Sequence, residues 1–188
     1  MSERALLITV VTEPSGTTKE TYYYHRWGIG RILPYAVMQC IINAETAQYH
    51  QSIIDAVHFD TVQHEFIPVG QRMYEQKDAP DYNARYFGSI AQTEDNDIGA
   101  VILFVRQTFL SDKERQPIEE DTGIFTEFYR LGFLFGHETA RDTGEKPFSR
   151  WIPFDEWSSN DTIGISNDNK GFIPMFKEFL KFHNVTVF

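Results

Sequence analysis

The chain has 188 residues, and its 27 acidic against 17 basic side chains give a formal net charge of -10. This acidic excess excludes a general DNA- or RNA-coating protein, because phosphate binding needs clustered Lys and Arg. The single cysteine, Cys40, excludes an internal disulfide framework and fits a reducing compartment. Hydrophobic residues at 41% and aromatics at 15% are typical of a globular chain. We therefore predict one α+β domain spanning residues 1–188.

The chain is predicted to begin with a β-hairpin. Residues 5–12 and 17–25 are rich in β-branched and aromatic side chains, and Pro14, Ser15 and Gly16 supply the turn. The first run is followed by no cleavage pattern, so it reads as a strand and not as a signal peptide. No stretch approaches the roughly 18 apolar residues of a membrane helix. We expect a cytoplasmic protein without a membrane partner.

A helix is predicted to follow the hairpin, because apolar side chains recur there with the spacing of one helical face. These side chains are Leu33, Ala36, Val37, Cys40, Ile41 and Ala44. The pattern continues weakly to about His58, which predicts either one long helix or two helices with a break near residues 43–46.

The middle of the chain is predicted to be mostly strands. Pro68 marks residues 63–69 as a short edge strand, and residues 139–146 read as the turn of a wide hairpin. Three longer runs have strand-like composition and period; they are residues 86–93, 98–107 and 124–137.

Two helices are predicted near the C-terminus. A short one begins at Pro153, and the last one carries a single apolar stripe, formed by Phe172, Phe176, Phe179, Leu180 and His183. Because most strands come in adjacent pairs and the helices lie early and late, the pattern is α+β. We expect a mainly antiparallel sheet of hairpins, packed against an early long or split helix and a C-terminal helix.

The loop between the hairpin and the first helix is the best candidate for a ligand-binding site. Its glycines allow close approach of a ligand to the backbone, and the following helix offers free N–H groups that suit a carboxylate or phosphate. Two arginines could clamp an anion, while a tryptophan could stack on a base. The candidate ligand-binding residues are His25, Arg26, Trp27, Gly28, Gly30 and Arg31.

The sequence is compatible with two other functions. A metal-dependent hydrolase could use ligands from His58, Asp60, His64 and His137, although their spacing matches no defined metal motif. An acidic nucleic-acid mimic could use the stretch from residue 32 to residue 71, which has four acidic residues and no Lys or Arg. No nucleophilic motif is present: Cys40 lies on the apolar helix face, and no serine stands in a Gly-x-Ser-x-Gly sequence. We therefore do not expect a catalytic residue or a cofactor.

One resemblance adds to these expectations. An aromatic–His–Arg–Trp–Gly sequence at residues 24–28, then an amphipathic helix, then a turn at residues 95–99, resembles small uncharacterised α+β proteins encoded by phages and mobile elements. The similarity covers residues 5–107. It implies an accessory protein that acts on a host process, including host defence, and it identifies no catalytic residue.

The sequence as a whole predicts a non-enzymatic binding protein. Its ligand would be a small, nucleotide-like anion at the loop of residues 26–31, or its partner would be a host protein that meets exposed aromatic side chains and an acidic face. A homo-oligomer is compatible with the sequence.

Overall fold

A computed structural model describes residues 4–26, 31–47, 52–76, 82–92, 97–109, 124–163, 165 and 171–188. Within these residues the chain forms six strands and six helices. The strands are β1 (Ala5–Thr12), β2 (Thr17–His25), β3 (Phe66–Glu75), β4 (Gly99–Phe109), β5 (Ile124–Phe135) and β6 (Val185–Val187). The helices are α1 (Ile32–Ala47), α2 (Ile53–Ala56), α3 (Ala84–Gln92), α4 (His137–Thr143), α5 (Phe154–Ser159) and α6 (Phe172–Phe182).

All six strands form one sheet in the order β3-β2-β1-β4-β5-β6. The pairs β1–β2, β2–β3 and β4–β5 are antiparallel, whereas β1–β4 and β5–β6 are parallel. The sheet is therefore of mixed orientation, and the expectation of a mainly antiparallel sheet is wrong. The reason is that a long connection with three helices and β3 separates β2 from β4, and such a connection allows β4 to run alongside β1 in the same direction.

The predicted hairpin is confirmed, and its turn is fixed by contact with the end of β3. Gly16 has a φ of +94°, and the backbone N–H of Gln76 donates to its carbonyl at 2.8 Å. A Cβ at Gly16 would lie 2.7 Å from the Gln76 carbonyl oxygen, so only glycine fits this close approach.

Both faces of the sheet are buried, and each has its own core. Leu7 and Val11 of β1 face a first cluster that includes side chains from α1, α2, α5 and α6. Leu6, Ile8 and Val10 point to the opposite face, where α3 packs. Because both faces are covered, β1 is buried along its whole length, as is typical of a central strand. We call these surfaces the first and second faces.

The prediction for the first helix is confirmed: the six side chains of its apolar stripe are all buried in α1. The helical region is split, but the break comes later than the predicted one near residues 43–46, because α1 continues to Ala47 and α2 begins at Ile53. The predicted helix after Pro153 and the C-terminal helix are also present. Pro68 does lie on an edge strand, but β3 is longer than expected and continues to Glu75.

Two segments have a different structure from the prediction. Residues 86–93 were expected to form a strand, yet most of them belong to α3, whose buried residues Ala84, Phe87, Gly88 and Ala91 follow the helical spacing i, i+3, i+4, i+7. Residues 139–146 are not a hairpin turn, since most of them lie in α4 and its C-terminal cap at Gly144. For residues 86–93 both periods fit, and packing against the sheet decides between them.

No helix among the described residues combines the length and the apolar character that crossing a bilayer requires.

Candidate ligand-binding site

The strongest polar cluster in the described residues lies on the second face, where β2, β3 and α3 meet. Glu20 and Tyr22 are two residues apart on β2, so their side chains share a face. The strand register places Arg72 opposite Glu20, and Tyr74 opposite Thr18. These side chains therefore meet Tyr86 of α3 above the sheet, and we call Glu20, Tyr22, Arg72, Tyr74 and Tyr86 the Glu20 cluster.

Glu20 is fully buried, and three phenols donate hydrogen bonds to it. The hydroxyl of Tyr22 donates to Oε2 at 2.6 Å, and that of Tyr74 donates to Oε1 at 2.8 Å. The hydroxyl of Tyr86 lies 3.1 Å from both oxygens. A buried carboxyl group is costly without such partners, so the three tyrosines are what allows Glu20 to face the core.

Burial and the neighbouring Glu20 keep these phenols protonated. Burial is the larger cause, and the contact with Glu20 the next, of a raised pKa for Tyr22, Tyr74 and Tyr86. The hydroxyls are therefore hydrogen-bond donors at neutral pH and not bases. Their chemistry suits positioning more than proton transfer.

Arg72 carries the accessible charge of the cluster. Its Nη1 donates to the hydroxyl of Tyr86 at 2.7 Å, and its guanidinium carbon lies 5.0 Å from the centre of the Tyr74 ring. One tyrosine thus fixes the end of the side chain and the other supports it through a cation–π contact. Arg72 is exposed, and the N–H donors of a guanidinium lie in its plane and point outward from its edge.

A cavity of about 210 Å³ opens beside Arg72. Three apolar side chains line it, Val10, Phe87 and Phe104, and four polar residues complete it, Arg72, Tyr74, Gln76 and Tyr86. We call this cavity the Arg72 pocket. An apolar base with a few convergent polar groups is typical of a small-molecule site. Here Tyr74 and Tyr86 are held by Glu20, and Arg72 is held by Tyr86.

The structure describes only half of the loop predicted from the sequence. His25 is buried with its ring edge-on to Phe66, and burial lowers its pKa, while a hydrogen bond to the backbone of His64 acts in the opposite direction. Arg26 is exposed at the end of β2, and Arg31 is half-buried directly before α1. The other three predicted residues, Trp27, Gly28 and Gly30, lie outside the described residues, so the ligand site at this loop stays a prediction.

The alternative metal ligands are not gathered into one group. Among the described residues, no three His, Cys, Asp or Glu side chains are arranged to hold a metal ion. The carboxyl oxygen of Asp60 accepts a hydrogen bond from the backbone of Gln63 at 2.8 Å and closes a turn. His137 follows β5, four strand positions from β3, which is roughly 19 Å at the usual strand spacing.

The Glu20 cluster was missed by reasoning from the sequence. One signal was available: Glu20 shares its side of β2 with Tyr22 and Tyr24, so an acid was placed among side chains that face the core. The other members of the cluster could not be predicted from the sequence. Arg72 and Tyr74 belong to a stretch that looks polar and irregular, and Tyr86 was assigned to a strand instead of a helix.

Comparisons of the chain with protein-family models, with curated proteins and with solved structures found no match. The resemblance to small phage and mobile-element proteins therefore stays a prediction. What the protein binds has to be inferred from the geometry of its own side chains.

Proposed function

We propose that the protein is a non-enzymatic binding protein that holds a small organic anion in the Arg72 pocket. The observation that carries the proposal is the fixed position of the Arg72 guanidinium at the mouth of an aromatic-lined cavity. A preorganised guanidinium binds carboxylates and phosphates well, because little side-chain entropy remains to be lost.

The cavity also suggests the body of the ligand. Phe87 and Phe104 offer apolar contact, while Tyr74 and Gln76 add polar groups to the lining. The volume of about 210 Å³ is below the roughly 300–1,000 Å³ of pockets for drug-sized ligands. An aromatic carboxylate, or a nucleotide whose base enters the pocket and whose phosphate stays at Arg72, fits this description.

The ligand class is the one predicted from the sequence, but the proposed site is the Arg72 pocket instead of the loop of residues 26–31. Arg26 and Arg31 remain a second candidate anion site, at the opposite end of β2 from the turn of the hairpin. The accessory role in a phage or mobile element, directed at a host process, belongs to the same proposal and is supported by the resemblance alone.

Calorimetric titration with benzoate and with adenosine monophosphate tests the site. We expect at least one probe to bind, and Arg72→Gln to weaken its binding by roughly ten-fold or more, because the variant removes the charged hydrogen-bond donor beside the pocket. Arg85→Gln is the matched control: it makes the same charge change at an exposed position of α3, and it should leave the affinity unchanged.

Two results would contradict the proposal. One is the absence of binding for both probes. The other is an affinity that Arg72→Gln leaves intact and that a double Arg26→Gln, Arg31→Gln variant abolishes, which would place the anion at the loop before α1.

A further inference from the structure

A second cavity lies beside β6, at one edge of the sheet and on the first face. It has a volume of about 510 Å³ and is open between α5, α6 and β6. Its lining is mainly apolar, with Phe154 and Leu180 buried at its base. We call it the β6 groove, and we propose that it binds an extended acidic peptide of a protein partner, which adds to the sheet as a strand beside β6.

The backbone of β6 is suited to such pairing. In the described residues β6 is the last strand of the sheet and pairs only with β5. Phe188 donates its backbone N–H to the carbonyl of Leu131 at 3.0 Å. Because successive residues of a strand direct their N–H and C=O groups to opposite sides, those of Val187 point away from β5, toward the open edge.

The side chains of β6 give the added strand an apolar surface. Val185 and Val187 are partly buried and pack against the core of the first face, and both line the groove. Residues directly opposite each other in neighbouring strands point to the same face of a sheet. A peptide residue placed opposite Val187 would therefore enter the groove, and an apolar side chain fits there.

Charge identifies the partner as acidic. Lys177 and Lys181 lie one turn apart on α6 and line the groove together with Asp155, so the three side chains leave one positive charge there, in a protein whose net charge is -10. Lys177 forms an ion pair with Asp155, and Lys181 is exposed, with no ion pair to any residue that the structure describes. Peptide residues two positions before and after the apolar one face the same side, so Glu or Asp at one of those positions would meet the unpaired charge of Lys181.

Edge-strand addition of this kind obtains affinity from main-chain hydrogen bonds and selectivity from alternate side chains. The other edge of the sheet is less open to it. Pro68 lacks an N–H, and the register between β2 and β3 shifts at Tyr22 and Tyr23, beside Pro68. Prolines and bulges are features that protect an edge from pairing.

The test uses a fluorescein-labelled peptide of sequence Thr-Glu-Thr-Val-Thr-Glu-Thr, with lysines replacing both glutamates in the control peptide. Fluorescence anisotropy at low salt measures binding to the full chain. We expect the acidic peptide to bind at least ten-fold more tightly than the basic one. Lys181→Glu should weaken this binding at least ten-fold, and Lys146→Glu, the same charge change at an exposed lysine that does not line the groove, should change it less than two-fold.

Hydrogen exchange gives a readout of the backbone contact. Saturation with the acidic peptide should slow exchange of the Val187 amide, and Val187→Pro, which removes that N–H, should weaken binding. Equal binding of both peptides, no binding of either, or equal effects of Lys181→Glu and Lys146→Glu would overturn the proposal. A dimer of the protein alone that Val187→Pro dissociates would assign the edge to a second copy and would overturn it as well.

Discussion

At the scale of single residues, Glu20 has the most unusual environment among the described residues. It occupies a core-facing position of β2 and is fully buried, yet it accepts hydrogen bonds from three tyrosines that come from β2, β3 and α3. One carboxyl group thus connects three elements. The same contacts position Tyr86, and through it Arg72, so the stability of the fold and the geometry of the pocket depend on one side chain.

Glu20→Gln tests this connection with almost no change of shape. An amide has one acceptor oxygen, and its NH₂ group would face a phenol that donates, so at least one buried hydroxyl loses its acceptor. We expect the free energy of unfolding to fall by roughly 2–4 kcal/mol, measured by urea denaturation. Glu178→Gln, at an exposed position of α6, is the control. If both variants lost the same stability, the three hydrogen bonds would not be supporting the fold.

At the scale of elements, Trp151 holds several parts of the second face together. Its indole N–H donates to the carbonyl of Tyr82 at 3.0 Å, just before α3, and its ring stacks on Phe188 at 4.8 Å between centroids. On the sheet side the ring lies against Gly132 of β5, where a Cβ would be 2.3 Å from the nearest ring carbon. The absence of a side chain at residue 132 lets the indole lie directly on the strand.

Gly132→Ala is expected to displace this indole. The added methyl group overlaps a ring that is held from two sides, so the free energy of unfolding should fall by about 3 kcal/mol and the near-ultraviolet circular dichroism should change. Gly144→Ala is a matched comparison. A Cβ added at residue 144 would meet no atom within 4 Å, but the backbone there has a φ of +75°. Its cost should be only about 1 kcal/mol of backbone strain. A smaller loss for Gly132→Ala than for Gly144→Ala would contradict the close contact.

At the scale of the whole molecule, the buried phenols link stability to pH. An unfolded tyrosine releases its proton near pH 10, whereas the raised pKa of Tyr22, Tyr74 and Tyr86 keeps their protons on the folded chain to higher pH. Above pH 10 the unfolded chain therefore binds fewer protons than the folded one. Stability that is fully present below this pH must be lost as the pH rises further.

Tyr22→Phe should make this loss less steep. One fewer proton is then retained by the folded chain, so the slope of the unfolding free energy against pH should become shallower, by a difference that rises toward about 1.4 kcal/mol per pH unit as the pH increases beyond 10. Urea denaturation at several pH values from 7 to 11 measures the slope. Identical slopes for the variant and the parent would show that the Tyr22 phenol titrates alike in the folded and unfolded chains.

The sequence by itself determined those elements whose hydrophobic pattern is long and fits a single period. The stripe of α1 needs only the 3.6-residue repeat, and β4 is an apolar run of strand length. The hairpin of β1 and β2 needs only a local turn. In these segments the order of apolar and polar residues along the chain shows directly whether one face or both faces are buried.

Only the tertiary structure decided the parallel pairing of β1 with β4, the helical state of α3 and the Glu20 cluster. The hydrophobic pattern of a single segment predicts none of these three features. Residues 86–93 fit two periods, and packing on the second face selects the helix. Glu20 and Tyr86 are 66 residues apart, so their contact depends on strand order and register. These follow from burying both faces of the sheet at once, which no single segment encodes.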